Sequence, residues 1–470
     1  MLEPVIGLEI HLAIKTRSKM FCSCAADSFG EGPNVNTCPV CLGLPGSLPV
    51  VNQDAIEKAL MFSLALQCSV PELTQFHRKN YYYPDAPKNY QISQFDQPIG
   101  EGGFIEVAGR RIGVARCHVE EDAGRLVHPP YADHSLVDLN RAGAPLIEMV
   151  TEPALRTPEE ARSFLNQVRA IAQALDVSDA SPEEGKMRAD VNVSLRRPGE
   201  PYGTKVEVKN LNSFKSVQSA LEVEIRRQTA ILEEGRQVTQ ETRGWNEGGQ
   251  KTYSLRTKEE EADYRYFPDP DLPPMRFNAV RLDSIRTKTP ELPEQKRERY
   301  LKLNLKVADA ELIAYDATLS RFYDAAADLF PGGGQPLANW LVSEVLGHLK
   351  SARLDLASSG LTPGGLVALV RLVEEGAISG RVGKELLPEV MAGKDAEALV
   401  RERGLTQITD TSTIERLVDE VVSSHPAIAS SVRDNPKAVN ALLGRVMQAS
   451  RGQAKPDLAR TLLQRRLGLD

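Results

Sequence analysis

The sequence is poor in tryptophan and cysteine, with two and six of them in 470 residues, and aromatics make up only 6%. It has no apolar run of about eighteen residues, which excludes a predicted membrane-spanning helix. At the start there is no basic region followed by an apolar stretch, since Glu3, Glu9 and His11 interrupt it; the expectation is a chain with no targeting segment, in the cytoplasm. Few cysteines and no secretory signal predict a reducing compartment. Neither G-x-x-x-x-G-K-[ST] nor G-x-G-x-x-G after a strand occurs. A bound nucleotide must therefore be held by side chains and metal rather than by a glycine cradle. Gly332-Gly333-Gly334 lies in a polar turn and reads as a linker. A net charge of −7 excludes a chain that is basic throughout and coats nucleic acid non-specifically.

What is present is enough for a normal core. The apolar fraction is 41%, and the length suits two to four domains. The charge is uneven. From Val400 onward eleven Lys/Arg stand against eight Asp/Glu, so that end is +3 and the remainder −10. A basic end on an acidic body suits local contact with RNA, or is simply a solvated helical face.

Residues 1 to about 290 read as mixed α and β. Val5 to Lys15 alternates: Ile6, Leu8, Ile10, Leu12 and Ile14 face one way, Gly7, Glu9, His11 and Ala13 the other. Asp190, Asn192 and Ser194 likewise oppose an apolar set. Arg116, His118 and Glu120 share a face, and Lys205 and Lys209 flank Glu207. Thr157-Pro158-Glu159-Glu160 predicts a helix start, followed by Phe164, Leu165, Val168, Ile171, Ala172 and Leu175 at helical spacing. A second helix is predicted over Val217 to Leu232. Composition changes near Pro290-Glu291-Leu292-Pro293, beyond which the pattern is helical. A further break near 395 gives three expected domains: 1–290, 291–395 and a small helical tail, 396–470, with helices over Ile414–Val422, Pro436–Ala449 and Pro456–Leu467.

Cys22-Ser-Cys24 and Cys38-Pro-Val-Cys41 have the form of a four-thiolate zinc site, two close pairs separated by a short loop. The alternative is four unpaired thiols. With four thiol ligands and no open position, such a metal is structural. Cys68 and Cys117 sit in apolar contexts and read as buried, inert residues.

Hard cations take oxygen ligands, and Mg²⁺ shares a few carboxylates with substrate phosphates. Glu9, Glu120, Glu121 and Glu148 supply carboxylates, and His11 either ligates or hydrogen-bonds. Arg78, Lys79, Arg141, Arg188, Lys205 and Lys209 suit phosphate or an incoming carboxylate. Taken singly each is most simply a surface group; their recurrence on the polar faces of several strands points to one site for metal and phosphate. Tyr81-Tyr82-Tyr83 reads as packing rather than base stacking.

Several segments together resemble a known family. They are Val5-Ile-Gly-Leu-Glu-Ile-His11, Arg78-Lys-Asn-Tyr-Tyr-Tyr-Pro-Asp85, Tyr90-Gln-Ile-Ser-Gln94, Glu120-Glu-Asp-Ala-Gly124, Asp138-Leu-Asn-Arg-Ala-Gly143 and Pro145-Leu-Ile-Glu148. Met187-Arg-Ala-Asp-Val-Asn-Val-Ser194, Val208-Lys-Asn-Leu-Asn-Ser-Phe214, Asp263-Tyr-Arg-Tyr-Phe-Pro268 and Gln448-Ala-Ser-Arg-Gly-Gln-Ala454 continue the match. The chain resembles the B subunits of aspartyl/glutamyl-tRNA amidotransferases over essentially its whole length. The resemblance implies an α+β fold: an antiparallel-sheet cradle similar to the glutamine synthetase catalytic fold, then an all-α helical domain and a small helical tail that contacts tRNA. It implies ATP-dependent phosphorylation of the Asp or Glu side chain on misacylated Asp-tRNA(Asn) or Glu-tRNA(Gln). Amidation then uses ammonia from a separate amidase subunit, with a small third subunit clamping a heterotrimer. Glu9, His11, Glu120 and Glu148 match the family's Mg²⁺ and ATP site. Glu121, Asp190, Asn192, Arg188, Lys205 and Lys209 lie in matching motifs, and the cysteine quartet resembles a zinc knob found in some members. Two rivals remain: a stand-alone ATP-dependent carboxylate–amine ligase, and a zinc-stabilised RNA-binding module without catalysis.

Overall fold

The computed structural model describes residues 2–257, 263–408, 410–432, 438–450 and 453–469. The chain forms two compact units, 1–295 and 296–470.

The first unit is built on strands β1 (Glu3–Ala13), β2 (His77–Asn80), β3 (Tyr90–Ser93), β4 (Gly100–Val107), β5 (Arg110–Glu121), β6 (Pro145–Thr151), β7 (Met187–Arg196), β8 (Val206–Lys209), β9 (Glu241–Asn246) and β10 (Lys251–Thr257). Eight of them make one sheet in the order β10-β9-β8-β7-β1-β6-β5-β4. β8 and β9 run parallel; the other neighbours are antiparallel. The parallel pair needs a crossover, which a helix supplies between them. β2 and β3 belong to a separate three-stranded sheet completed by Phe267–Pro268.

Three helices accompany the large sheet: α1 (Gln53–Ala65), α2 (Pro158–Ala174) and α3 (Phe214–Glu233). Thr157 caps α2 by accepting from the Glu160 N–H at 3.1 Å. The Glu160 carboxylate reaches one residue past the cap, to the Arg156 N–H at 2.8 Å. α3 begins three residues before the expected Val217, because Ser213 accepts from the Ser216 N–H at 3.0 Å and fixes the first turn there.

The core lies on one face of the sheet. Ile6, Leu8, Ile10 and Leu12 are fully buried in one cluster with Ile56 and Leu60 of α1, Phe164 and Leu165 of α2 and Val217 and Leu221 of α3. Burying each such side chain contributes about 1.5–3 kcal/mol. The alternation therefore fixes which side of β1 faces inward; a one-residue slip would drive Glu9 and His11 into the core. The other face is left for polar side chains.

The second unit is helical, from the Pro293–Lys302 helix, which straddles the unit boundary, to Pro456–Leu467. It holds two separate apolar clusters, one spanning Tyr300 to Val400 and the other Ile414 to Leu463. Between them Gly404 ends the Ala396–Arg403 helix with a left-handed backbone, φ +59°. The last helices are Thr411–Ser424, Pro426–Ser431, Val439–Ala449 and Pro456–Leu467. The helix start expected at Pro436 lies outside the described residues, as do Arg451 and Gly452 of the C-terminal motif. Among the described residues no helix is long and apolar enough to cross a membrane.

Candidate functional site

Strand register assembles the polar face. His11 on β1 lies opposite Arg188 on β7 and Glu148 on β6, and Glu148 lies opposite His118 on β5. One row thus reads Arg188, His11, Glu148, His118 across four strands. In the neighbouring rows Glu9 faces Asp190, and Asn192 faces Gly7 and Glu207.

Three carboxylates converge on one imidazole. His11 Nε2 is 3.6 Å from Glu120, 3.8 Å from Glu148 and 3.9 Å from Glu9. None of these is a hydrogen bond. The ligand atoms of Glu9, His11 and Glu148 all lie within 4.8 Å of one another. Burial, then the nearby Glu148 and Asp190 carboxylates, push Glu9 up to about 7. Burial and Glu148 push Glu120 up as well. His11 is lowered to about 3 by burial and by Arg188, so it stands neutral at pH 7. Crowded carboxylates that resist ionisation, beside a neutral imidazole, form a donor set that a hard divalent cation fits.

Cations surround this cluster. His11, Lys79, Glu120, Asp122, Arg188, Asp190 and Lys209 line a cleft of about 400 Å³. Burial works against the Lys79 charge, but Tyr266, Glu120 and Glu148 outweigh it and hold its pKa above the ordinary lysine value. Lys209 donates to Asp190 at 2.6 Å. Arg188 donates to both Asp122 oxygens at 3.1 Å.

Four expected residues are placed elsewhere. Glu121 follows Glu120 on the strand and so leaves from its other side. It pairs with Lys88 and accepts from the Ile92 N–H at 2.9 Å. Arg78 alternates with Lys79 in the same way and is taken up by Asp269 and Asp271, at 2.8 and 2.9 Å. Arg141 holds the Ala123 and Gly124 carbonyls and Asp122. It lines a second cleft of about 630 Å³, which shares Asp122 with the first. Lys205 is exposed and precedes β8. Asn192 shares the polar face one step beyond Asp190 without lining the cleft.

Other residues join the site that the sequence pattern does not single out as its members. Asp122 anchors Arg188 and Arg141. Ser93 donates to Glu120 at 3.2 Å, and Gln94 accepts from the Val119 N–H at 2.9 Å, so β3 clamps the end of β5. The only sequence signals for these are their places in Glu120-Glu-Asp122 and Tyr90-Gln-Ile-Ser-Gln94.

The cysteine quartet also comes together. The sulfurs of Cys22, Cys24, Cys38 and Cys41 lie within 4.8 Å of one another. Cys41 Sγ accepts from the Cys38 N–H at 3.1 Å, and Lys19 Nζ lies 3.8 Å from it. Lys19 is fully buried and donates to the Asn36 carbonyl at 2.8 Å. Hydrogen bonding from the Cys22 thiol, then the Cys38 N–H and the Lys19 charge, hold the Cys41 thiol well below its ordinary value despite burial. Four soft donors with one already favouring thiolate fit a tetrahedral metal. The Met20 N–H donates to the Gly143 carbonyl and the Gly143 N–H to the Asp122 carbonyl, at 2.8 and 2.9 Å, so this loop is tied to the chain bearing Asp122. Cys68 and Cys117 are buried, as expected.

A sheet module with a carboxylate-lined cleft, joined in sequence to a helical module, defines the class, and known families match both parts. The model described as the GatB/GatE catalytic domain matches residues 4–283, and that described as the GatB domain matches 322–467. The chain is 57% identical over 470 residues to the aspartyl/glutamyl-tRNA(Asn/Gln) amidotransferase B subunit of Thermus thermophilus, covering all of both chains. It is 53% identical over 476 residues to that of Deinococcus radiodurans, covering 99% of each. Against that of Persephonella marina it is 47% identical over 470 residues, covering 98% of each. The chain belongs to the family of aspartyl/glutamyl-tRNA(Asn/Gln) amidotransferase B subunits.

Proposed function

We propose that this chain activates the side-chain carboxylate of Asp or Glu esterified to tRNA(Asn) or tRNA(Gln), using ATP, and converts it to the amide. The nitrogen comes from glutamine hydrolysed by a partner amidase subunit, and a small third subunit completes the heterotrimer. The relatives' names support the substrate and the reaction. The observation that carries the reading is the convergence of Glu9, Glu120 and Glu148 on His11, which together with Glu120 lines a cleft shared with Lys79, Arg188 and Lys209.

A carboxylate is a poor electrophile. Its oxygen attacks the γ-phosphorus of ATP, the bond to ADP breaks, and an acyl phosphate forms. Ammonia nitrogen then bonds to the acyl carbon, phosphate leaves with the electron pair, and the nitrogen gives up a proton. Glu9, His11, Glu120 and Glu148 would hold Mg²⁺, which when bound offsets charge on the transferring phosphoryl group. Lys79, Arg188 and Lys209 bind phosphate oxygens and draw the substrate carboxylate into an otherwise acidic cleft. Asp122 and Asp190 fix the directions of Arg188 and Lys209. Cys22, Cys24, Cys38 and Cys41 would hold structural Zn²⁺ and so stiffen a loop without a core of its own. The cradle, 1–290, is read as similar to the glutamine synthetase catalytic fold, with a helical domain over 291–395 and a tRNA-contacting tail over 396–470.

The test is an amidation assay with both misacylated tRNAs, ATP, glutamine and the purified partner subunits. Conversion of at least one, dependent on ATP, is expected. Amidation that proceeds without ATP, or none with either tRNA, sinks the reading.

A further inference from the structure

A chain of aromatic rings leads from the cleft to solvent. Lys79, which lines the cleft, has its Nζ 4.9 Å from the centre of the Tyr264 ring. Tyr264 meets Tyr266 edge-on at 6.2 Å, and Tyr266 stacks on Phe95 at 4.6 Å with 14° between the planes. Phe95 is 54% exposed and Tyr82, beneath the Arg265 guanidinium at 5.9 Å, is 73% exposed. Tyr82 is thus open surface, and Tyr83 is exposed as well, contrary to the expectation that the triplet serves packing. Arg265, between the two tyrosines, has φ +47°, an uncommon backbone for a side chain of its kind. Hydrogen bonds hold it there: its N–H donates to Asp263 at 3.0 Å, and Asn80 donates to its carbonyl at 2.8 Å. Strain maintained by its surroundings marks sites where side chains must be aimed.

We propose that Phe95, Tyr266, Tyr264 and Tyr82, with Arg265 and Lys79, form a stacking site for the 3′-terminal adenosine of the tRNA. This rests on the reading that aminoacyl-tRNA is the substrate. The carboxylate to be activated is one aminoacyl group away from the terminal ribose. With that carboxylate among Lys79, Arg188 and Lys209, the adenine lies at the cleft mouth, where exposed rings offer a π-face. Arg265 supplies charge complementary to the adjoining phosphate. Rings interleaved with cations are what unpaired nucleotides bind.

The test uses the assembled complex and measures binding of deacylated tRNA(Asn) with and without its terminal adenosine. For the wild type, loss of that nucleotide weakens binding about tenfold. For Phe95→Ala the same loss weakens it less than about twofold, while Phe95→Trp keeps the wild-type response. Tyr82→Ala, at an exposed position that leaves the core intact, reduces the response as well. An equal loss in wild type and both alanine variants overturns the proposal. So does a raised KM for ATP with an unchanged tRNA response, which assigns the rings to the nucleotide. Dissociation of the partner subunits with an unchanged tRNA response also overturns it and makes the patch a protein interface. If the wild type binds the intact and the shortened tRNA equally, only the stacking site fails; if it binds neither of these nor the corresponding forms of tRNA(Gln), the tRNA reading fails with it.

Discussion

Glu120 Oε1 lies 3.6 Å from His11 Nε2 although a whole strand, β6, separates β5 from β1. Both side chains lean over that strand, and Glu148, which β6 carries, completes the group from below. Nothing in the described residues offsets the three carboxylates at the cluster's centre except the flanking cations, so the arrangement is tuned for an added positive charge.

Glu120→Gln keeps the shape and the hydrogen bond from Ser93 while removing the charge. ATP hydrolysis coupled to misacylated tRNA should fall by at least roughly a hundredfold. The thermal midpoint in chelator should stay near wild type, because burial and Glu148 already keep the Glu120 carboxyl largely un-ionised when no metal is bound. Unchanged turnover would remove Glu120 from the site.

Metal analysis should find about one zinc per chain. Lys19→Met takes the ammonium away from Cys41, and zinc should pass to a competing chelator roughly tenfold faster than from the wild type. A zinc-free, fully active preparation would discard the metal assignment.

Asp122→Asn leaves Arg188 and Arg141 without their shared anion. The guanidinium of Arg188 loses its fixed direction, and the KM for ATP should rise roughly tenfold, equivalent to ~1.4 kcal/mol. The circular dichroism spectrum should not change. An unaltered KM would show that Arg188 needs no such anchor.

Asp410 caps the Thr411–Ser424 helix, accepting from the Thr413 hydroxyl at 2.6 Å, the Ser412 hydroxyl at 2.7 Å and the Thr413 N–H at 2.8 Å. These bonds, led by that from the Thr413 side chain, hold its pKa down at about 2, against 3.8 ordinarily. The folded carboxylate is the weaker base, so its contribution is complete above pH 3.8 and fades as pH falls towards 2. Thermal melts across that window should show the tail weakening in the wild type and a flatter dependence in Asp410→Asn.

Leu405 packs with the first helical cluster and Ile408 with the last. Ending the chain after Leu405 should raise the KM for aminoacyl-tRNA by roughly tenfold or more, while the KM for ATP stays near wild type. An unchanged KM for aminoacyl-tRNA would favour an enzyme that needs no contact with the tRNA body.

The strand-borne part of the site is legible in the sequence because alternation is local. Gly7, Glu9 and His11 against Ile6, Leu8 and Ile10 are fixed by one strand and one apolar face. The same rule separates Glu120 from Glu121, and Lys79 from Arg78, once the apolar side is known; charge alone groups each pair whole. Asp122 and Ser93 stay hidden because their roles depend on partners far along the chain, Arg188 and Glu120, and no spacing reports that. The three early residues of α3 stay hidden because Ser213 stands inside a longer polar motif that masks it as a cap. The aromatic triplet misleads at Tyr82 and Tyr83 because composition does not say which rings the backbone turns outward.

The central place of β1 has a bearing on how the chain is made. Its partners, Pro145–Thr151 and Met187–Arg196, emerge from the ribosome long after it does. Until then Ile6, Leu8, Ile10 and Leu12 have no sheet to join, and the nascent chain must carry an unpaired, sticky ribbon through much of its synthesis. Pausing, or help from a holding chaperone, is therefore most consequential before residue 196 appears.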